Sequence, residues 1–125
     1  MKYVSELDSV TGICTVNVTG EYHRPDDSEK LKRFAIDFSA RHGCKLFLFN
    51  LSNAEIFGEI IPTFNAADPQ GEVADKLRSI RTAFVRRELT ENDRFFETVA
   101  VNRGFQLRAF DSVEKAVKWL MQGNS

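Results

Sequence analysis

The most nearly continuous apolar stretch is residues 44–51, Cys-Lys-Leu-Phe-Leu-Phe-Asn-Leu. A strand with this pattern is covered on both faces, which predicts the centre of an α/β sheet. Upstream, residues 13–22 alternate β-branched and polar positions with the period of two that marks a half-buried strand. Residues 2–8 are weaker in pattern and reach it through a turn at Gly12, so the two predict an antiparallel hairpin. Leu31, Phe34, Ala35 and Phe38 then recur at i, i+3, i+4 and i+7. That spacing is one apolar stripe of a helix running to about His42, with Gly43 as the left-handed residue that ends it. Asp26 and Glu29 have capping-box spacing at its start, and Ser28 is a rival cap.

Residues 52–71 are harder to read. Ile56, Ile60 and Ile61 favour a short helix, but Pro62, Pro69 and Gly71 interrupt it, predicting a turn or two of helix followed by loop. Helical period resumes over 72–80 through Val73, Leu77 and Ile80, and 82–87 reads as a short strand. Thr90 with Asp93 caps a helix whose apolar face is Phe95, Phe96, Val99 and Ala100, and Gly104 ends it. Residues 105–110 form a strand. Asp111 with Glu114 opens a last helix lined by Val113, Ala116, Val117 and Leu120, with Trp119 off the centre of the stripe. The order is β-β-α-β-α-β-α-β-α: an α/β fold with a mixed sheet of about five strands and helices packed on it, in one domain over residues 1–125.

Composition narrows the function classes. Eleven Phe stand against one Trp and two Tyr, and Phe has no polar handle, so most rings belong to the core. A net charge of −1 supplies no global field toward nucleic acid or an anionic membrane. No apolar run approaches the roughly 20 residues that cross a bilayer, and the acidic first segment lacks the apolar centre of a signal peptide. The expected location is the cytoplasm. Cys14 and Cys44 fit that expectation as buried free thiols, since nothing supplies further ligands for a metal. No cofactor, no metal and no nucleic-acid partner is expected.

The candidate chemistry is sparse. Ligands of open α/β sheets bind beyond the carboxy-terminal ends of the strands. Asn50, Ser52 and Asn53 follow the central strand and offer hydrogen bonds there, or Ser52 or Asn53 caps the next helix. Phe57, Ile60, Ile61 and Phe64 share one face if helical, either core or an exposed contact. Across residues 78–108 seven arginines face four carboxylates. Arg78, Arg81, Arg86 and Arg87 make this a candidate anion or partner patch, or a solvated face with local ion pairs. His23 beside Arg24, Asp26 and Asp27 could be drawn as an acid–base cluster, but helix capping and the helix dipole account for the same residues. There is no nucleophile–base pair, metal spacing or glycine-rich phosphate loop.

The ending, Asn102-Arg-Gly-Phe-Gln-Leu-Arg-Ala-Phe-Asp111 followed by Val113-Glu-Lys-Ala-Val-Lys-Trp-Leu120, resembles the SpoIIAA-like group of STAS-type domains. That group is similar in fold to the anti-sigma-factor antagonists and distantly to CRAL-TRIO domains. The resemblance implies a stand-alone bacterial regulatory or protein-interaction module without enzymatic activity. The Asp-Ser-x-Gly turn phosphorylated in the antagonists does not occur, and Asn50-Leu-Ser52-Asn53 stands in its place. The leading expectation is therefore a homodimer that binds an unidentified protein partner through Asn50, Ser52, Asn53, Phe57 and Phe64. The alternative is a protein that holds an apolar or anionic small molecule against the 52–64 segment.

Overall fold

A computed structural model describes residues 1–58 and 72–122. The elements are β1 (Lys2–Leu7), β2 (Ile13–His23), α1 (Asp26–His42), β3 (Leu46–Phe57), α2 (Glu72–Arg78), β4 (Arg81–Val85), α3 (Glu91–Asn102), β5 (Gln106–Phe110) and α4 (Val113–Gln122). The predicted order and fold class are the ones observed. The five strands lie side by side in chain order. β1 runs antiparallel to β2, and β2, β3, β4 and β5 are mutually parallel.

This sheet order decides where the helices go. Each parallel step moves one strand in the same direction, so right-handed crossovers put the three connecting helices on one face. Two packed clusters record that face. One gathers Cys14, Val16, Val18, Phe47 and Phe49 under Leu31 and Ala35 of α1. The other joins Ala100 of α3 to Phe105 and Leu107, with Leu77 of α2 against both. The opposite face is covered by α4, whose Ala116 and Leu120 pack on Leu46, Leu48, Ala83 and Val85. β3 is thus buried on both faces over Leu46–Phe49, which is why its sequence there is uninterrupted apolar.

Several boundaries differ from the sequence-based expectation. Cys44 precedes the strand rather than opening it. Its buried thiol instead contacts the Gly12 and Leu46 carbonyls. Both cysteines are free and buried, as expected. Asp26 does not cap α1: Pro25 occupies the N-cap position and no side chain caps it. Thr90 and Asp93 do form the expected capping box of α3. At α4 the cap is Ser112 rather than Asp111: the Lys115 N–H donates to Ser112 Oγ at 3.2 Å, and Asp111 pairs with Lys115 Nζ at 3.0 Å.

The largest departure lies after the central apolar run. β3 continues through Ser52 and Asn53 to Phe57 instead of giving way to helix. A bulge makes this possible. Asn17 pairs with Asn50 and Thr19 with Asn53, so two residues of β3, Leu51 and Ser52, oppose Val18 alone. Inserting one residue shifts the side-chain alternation by one. Phe47, Phe49 and Leu51 face the α1 cluster before the bulge, and Ala54 and Ile56 face it afterwards. The expected helical face of Phe57, Ile60, Ile61 and Phe64 fails at Phe57, which ends a strand. Ile60, Ile61 and Phe64 lie outside the described residues.

Leu48 is fully buried in the cluster under α4. Leu48→Ala is expected to destabilise the fold by about 2–5 kcal/mol, read as a lower urea midpoint at unchanged slope.

Candidate functional site

β2 and β3 outrun their neighbours. β4 ends at Val85 opposite Asn50 and β5 at Phe110, whereas β2–β3 pairing continues to His23 and Phe57. The carboxy-terminal edge of the sheet is therefore stepped. A two-strand ribbon projects past the ends of β4 and β5, and polar side chains gather at the step.

The bulge is held from within this edge. Asn50 Nδ2 donates to Asn17 Oδ1 at 3.1 Å, fixing the carboxamide across the strand pair. Asn50 Oδ1 then accepts from the Ser52 N–H at 3.1 Å and from Ser52 Oγ at 2.6 Å. The Ser52 carbonyl accepts from Arg87 Nε at 2.8 Å. A bulge strands ladder groups that need partners. Here Asn50 and Arg87 supply them, so Asn50 and Ser52 act within the backbone. Ser52 and Asn53 sit within the strand, so neither caps a helix. Asn53 is exposed on the ribbon. Phe57 is 39% exposed and stacks on His23 at 5.0 Å between ring centroids.

The four arginines of the candidate patch fall into two groups at opposite ends of β4. Five residue steps separate Arg81 from Arg86, roughly 16 Å along a strand. Arg78 and Arg81 lie at the amino-terminal end and are engaged structurally. Arg78 Nε donates to the Arg103 carbonyl at 3.0 Å and its guanidinium lies over the Phe105 ring. Arg81 donates to the Trp119 carbonyl at 2.8 Å and lies 4.0 Å over the indole. Arg86 and Arg87 lie at the step.

Two residues that sequence reading did not place in the site complete it. Asp93, 6% exposed, caps α3 through Thr90 and accepts from Arg86 at 2.5 Å. Arg24 closes the ribbon. Its N–H donates to the Phe57 carbonyl at 2.9 Å and its Nη2 to the Gly58 carbonyl at 2.8 Å. Gly58 adopts φ +89°, and a Cβ there would run into the Arg24 carbonyl, so the position requires glycine. Burial first, and then the positive charge of Arg86, pull the Arg24 guanidinium below its ordinary value, with Asp93 opposing. Arg24 is 34 residues from Gly58 in sequence, so no local signal could pair them.

Asp27 holds this corner from the helix side. Buried, it accepts from the His23 N–H at 2.7 Å and lies 3.6 Å from Lys30. The residues around His23 make structural contacts: Asp27 ties the strand end to the helix, and His23 lies 3.2 Å from Glu21. Among the described residues no group of His, Cys, Asp and Glu is placed to hold a metal, and no helix is long and apolar enough to cross a membrane.

No family model and no curated protein matches the sequence. Solved structures do match in fold. The unphosphorylated anti-sigma factor antagonist SpoIIAA superposes with TM-score 0.51 at 12% identity, covering 98% of this chain and 99% of that one. An uncharacterised DUF3478-family protein with a SpoIIAA-like fold, from Shewanella loihica PV-4, gives 0.56 at 13% identity, covering 95% and 92%. An anti-sigma factor antagonist from Mycobacterium paratuberculosis gives 0.56 at 16%, again covering 95% and 92%. The chain has the SpoIIAA-like STAS fold.

Burial opposes ionisation of Asp27, but the His23 N–H and Lys30 outweigh it and hold the carboxyl below its ordinary value of 3.8. Its stabilisation is present above that value and disappears as pH falls through the lower folded-state value. The urea midpoint of the wild-type chain should therefore fall on acidification below about pH 4, and more steeply than that of Asp27→Asn. Parallel acid limbs would remove Asp27 from this role.

Proposed function

We propose that this protein is a non-enzymatic regulatory module that works by binding another protein, and that it does so as a cytoplasmic bacterial homodimer of one STAS-like domain. The observation that carries the reading is the projecting β2–β3 ribbon. Thr19, Glu21 and His23 on β2, and Asn53, Glu55 and Phe57 on β3, are all exposed and pair across the two strands. Such a face offers an aromatic anchor, the stacked Phe57 and His23, rimmed by carboxylates and amides. That composition suits a protein contact, where a few aromatic side chains supply most of the energy within a polar surround.

The shared fold supports the reading from a second side. The matched antagonists carry protein antagonism in their names and superpose over nearly the whole chain. The switch of that group is not carried over. Ser52 stands nearest its place, yet its hydroxyl is bound to Asn50 and its carbonyl to Arg87. In this chain the loop position has become part of a strand, and the contact surface moves outward to the ribbon. Asn53 and Phe57 are the partner-facing residues, and Asn50, Ser52 and Arg87 shape the strand that presents them.

Phe57→Asp places a charge at a half-exposed strand end. It should leave the circular dichroism spectrum and the melting temperature nearly unchanged, with an effect on stability within roughly 1 kcal/mol. It should abolish capture of the protein partner from lysate and weaken self-association in native mass spectrometry. Retention of both by the folded variant would exclude the ribbon as the contact.

A further inference from the structure

The sheet face under α1, α2 and α3 lines a partly open cavity of about 120 Å³ that shares no residue with the exposed side of the ribbon. Its walls are apolar: Leu31 from α1, Leu77 from α2, and Phe49, Phe84 and Leu107 from the sheet. Its polar groups are not scattered. Arg24, Arg86 and Asp93 lie at the carboxy-terminal end of the strands, with Tyr22 and with Ser28 and Lys32 from the first turns of α1, while Thr82 and Gln106 lie at the other. From Thr82 to Arg86 is four strand steps, about 13 Å. The space is therefore longer than it is wide, with cationic groups at one end.

The charges at that end do not balance. Asp93 is bound to Arg86. Arg24 is half-buried and, among the described residues, donates only to carbonyls, and its buried Nε has no hydrogen-bond partner among them. Lys32, the third cation of the lining, pairs with Glu29 at 3.1 Å, so among the described residues Arg24 alone of the three has no carboxylate partner, half out of water beside an apolar space. A buried, incompletely paired charge is costly, and a bound anion would relieve it while completing the Nε contact. Apolar pockets near 150 Å³ accept a molecule the size of benzene, so this volume holds one apolar body and excludes a two-tailed lipid.

We propose that this cavity binds a single-tailed amphiphile with an anionic head, the head resting on Arg24 and the tail lying along Phe49, Phe84 and Leu107. Arg86 stays with Asp93 and contributes through its field. Arg24 also ties the ends of β2 and β3 together, so the head would sit where the ribbon joins the body of the domain.

The test is an NMR titration of the full chain with butanoate, a benzene-sized amphiphile, followed on the methyl resonances of Leu31, Leu77 and Leu107, with 1-butanol as the neutral control. Butanoate should give saturable shifts at all three residues and bind at least about tenfold more tightly than butanol, as expected for one charge-assisted contact. Arg24→Gln should cost butanoate that advantage and leave butanol unchanged, and Ala109→Leu, which fills the cavity from β5, should weaken both. Absence of shifts would overturn the proposal, and so would equal binding of butanoate and butanol to the wild-type chain. If Arg24→Gln does not fold, the butanoate–butanol comparison on the wild-type chain still decides.

Discussion

Everything distinctive about this molecule depends on the parallel ladder between β2 and β3. It runs through ten paired positions, five on each side of the bulge. Its lower half is ordinary core, with Phe47 and Phe49 under α1 and Leu46 and Leu48 under α4. Its upper half has no β4 beside it and persists because the inserted residue restores the side-chain alternation, letting Ala54 and Ile56 cover the α1 cluster. Without the bulge, Glu55 and Asn53 would face that cluster, and burying them there would favour unpairing the strands.

The polar site follows from the same ladder. Carrying β3 past β4 brings the Gly58 carbonyl to Arg24 and the Ser52 carbonyl to Arg87. Asp93, fixed by its capping box with Thr90, holds Arg86 alongside. Capping, bulge and ion pair thus form one connected arrangement at the carboxy-terminal edge. It separates two surfaces: an open ribbon face suited to a protein, and a partly open apolar cavity with a cationic end.

Much of the architecture was legible because burial on two faces and helical spacing leave strong periodic marks. The run at 44–51 and the stripe Leu31, Phe34, Ala35, Phe38 each have one reading. The 52–57 segment has two, since a bulge replaces alternation with a break that looks like the start of a helix. Capping boxes were legible at Thr90–Asp93. They misled at Asp26 and Asp111, because Asp27 instead serves the His23 N–H and Ser112 lies one residue nearer the helix. The arginine cluster was visible as composition only: the five-residue strand Arg81–Val85 sends its members to opposite ends of the sheet. Arg24 was visible only as a neighbour of His23, and nothing local pointed to its partner Gly58, 34 residues away.

The central claim is that residues 53–57 are a strand paired to β2, and amide hydrogen exchange tests it most directly. Alternate amides from Asn53 to Phe57 should be protected and lose protection together with their β2 partners when pairing is broken, for instance by a proline at Glu21. Uniformly fast exchange over 53–57, or protection insensitive to that substitution, would contradict the extended ladder and with it the ribbon and the site at its base.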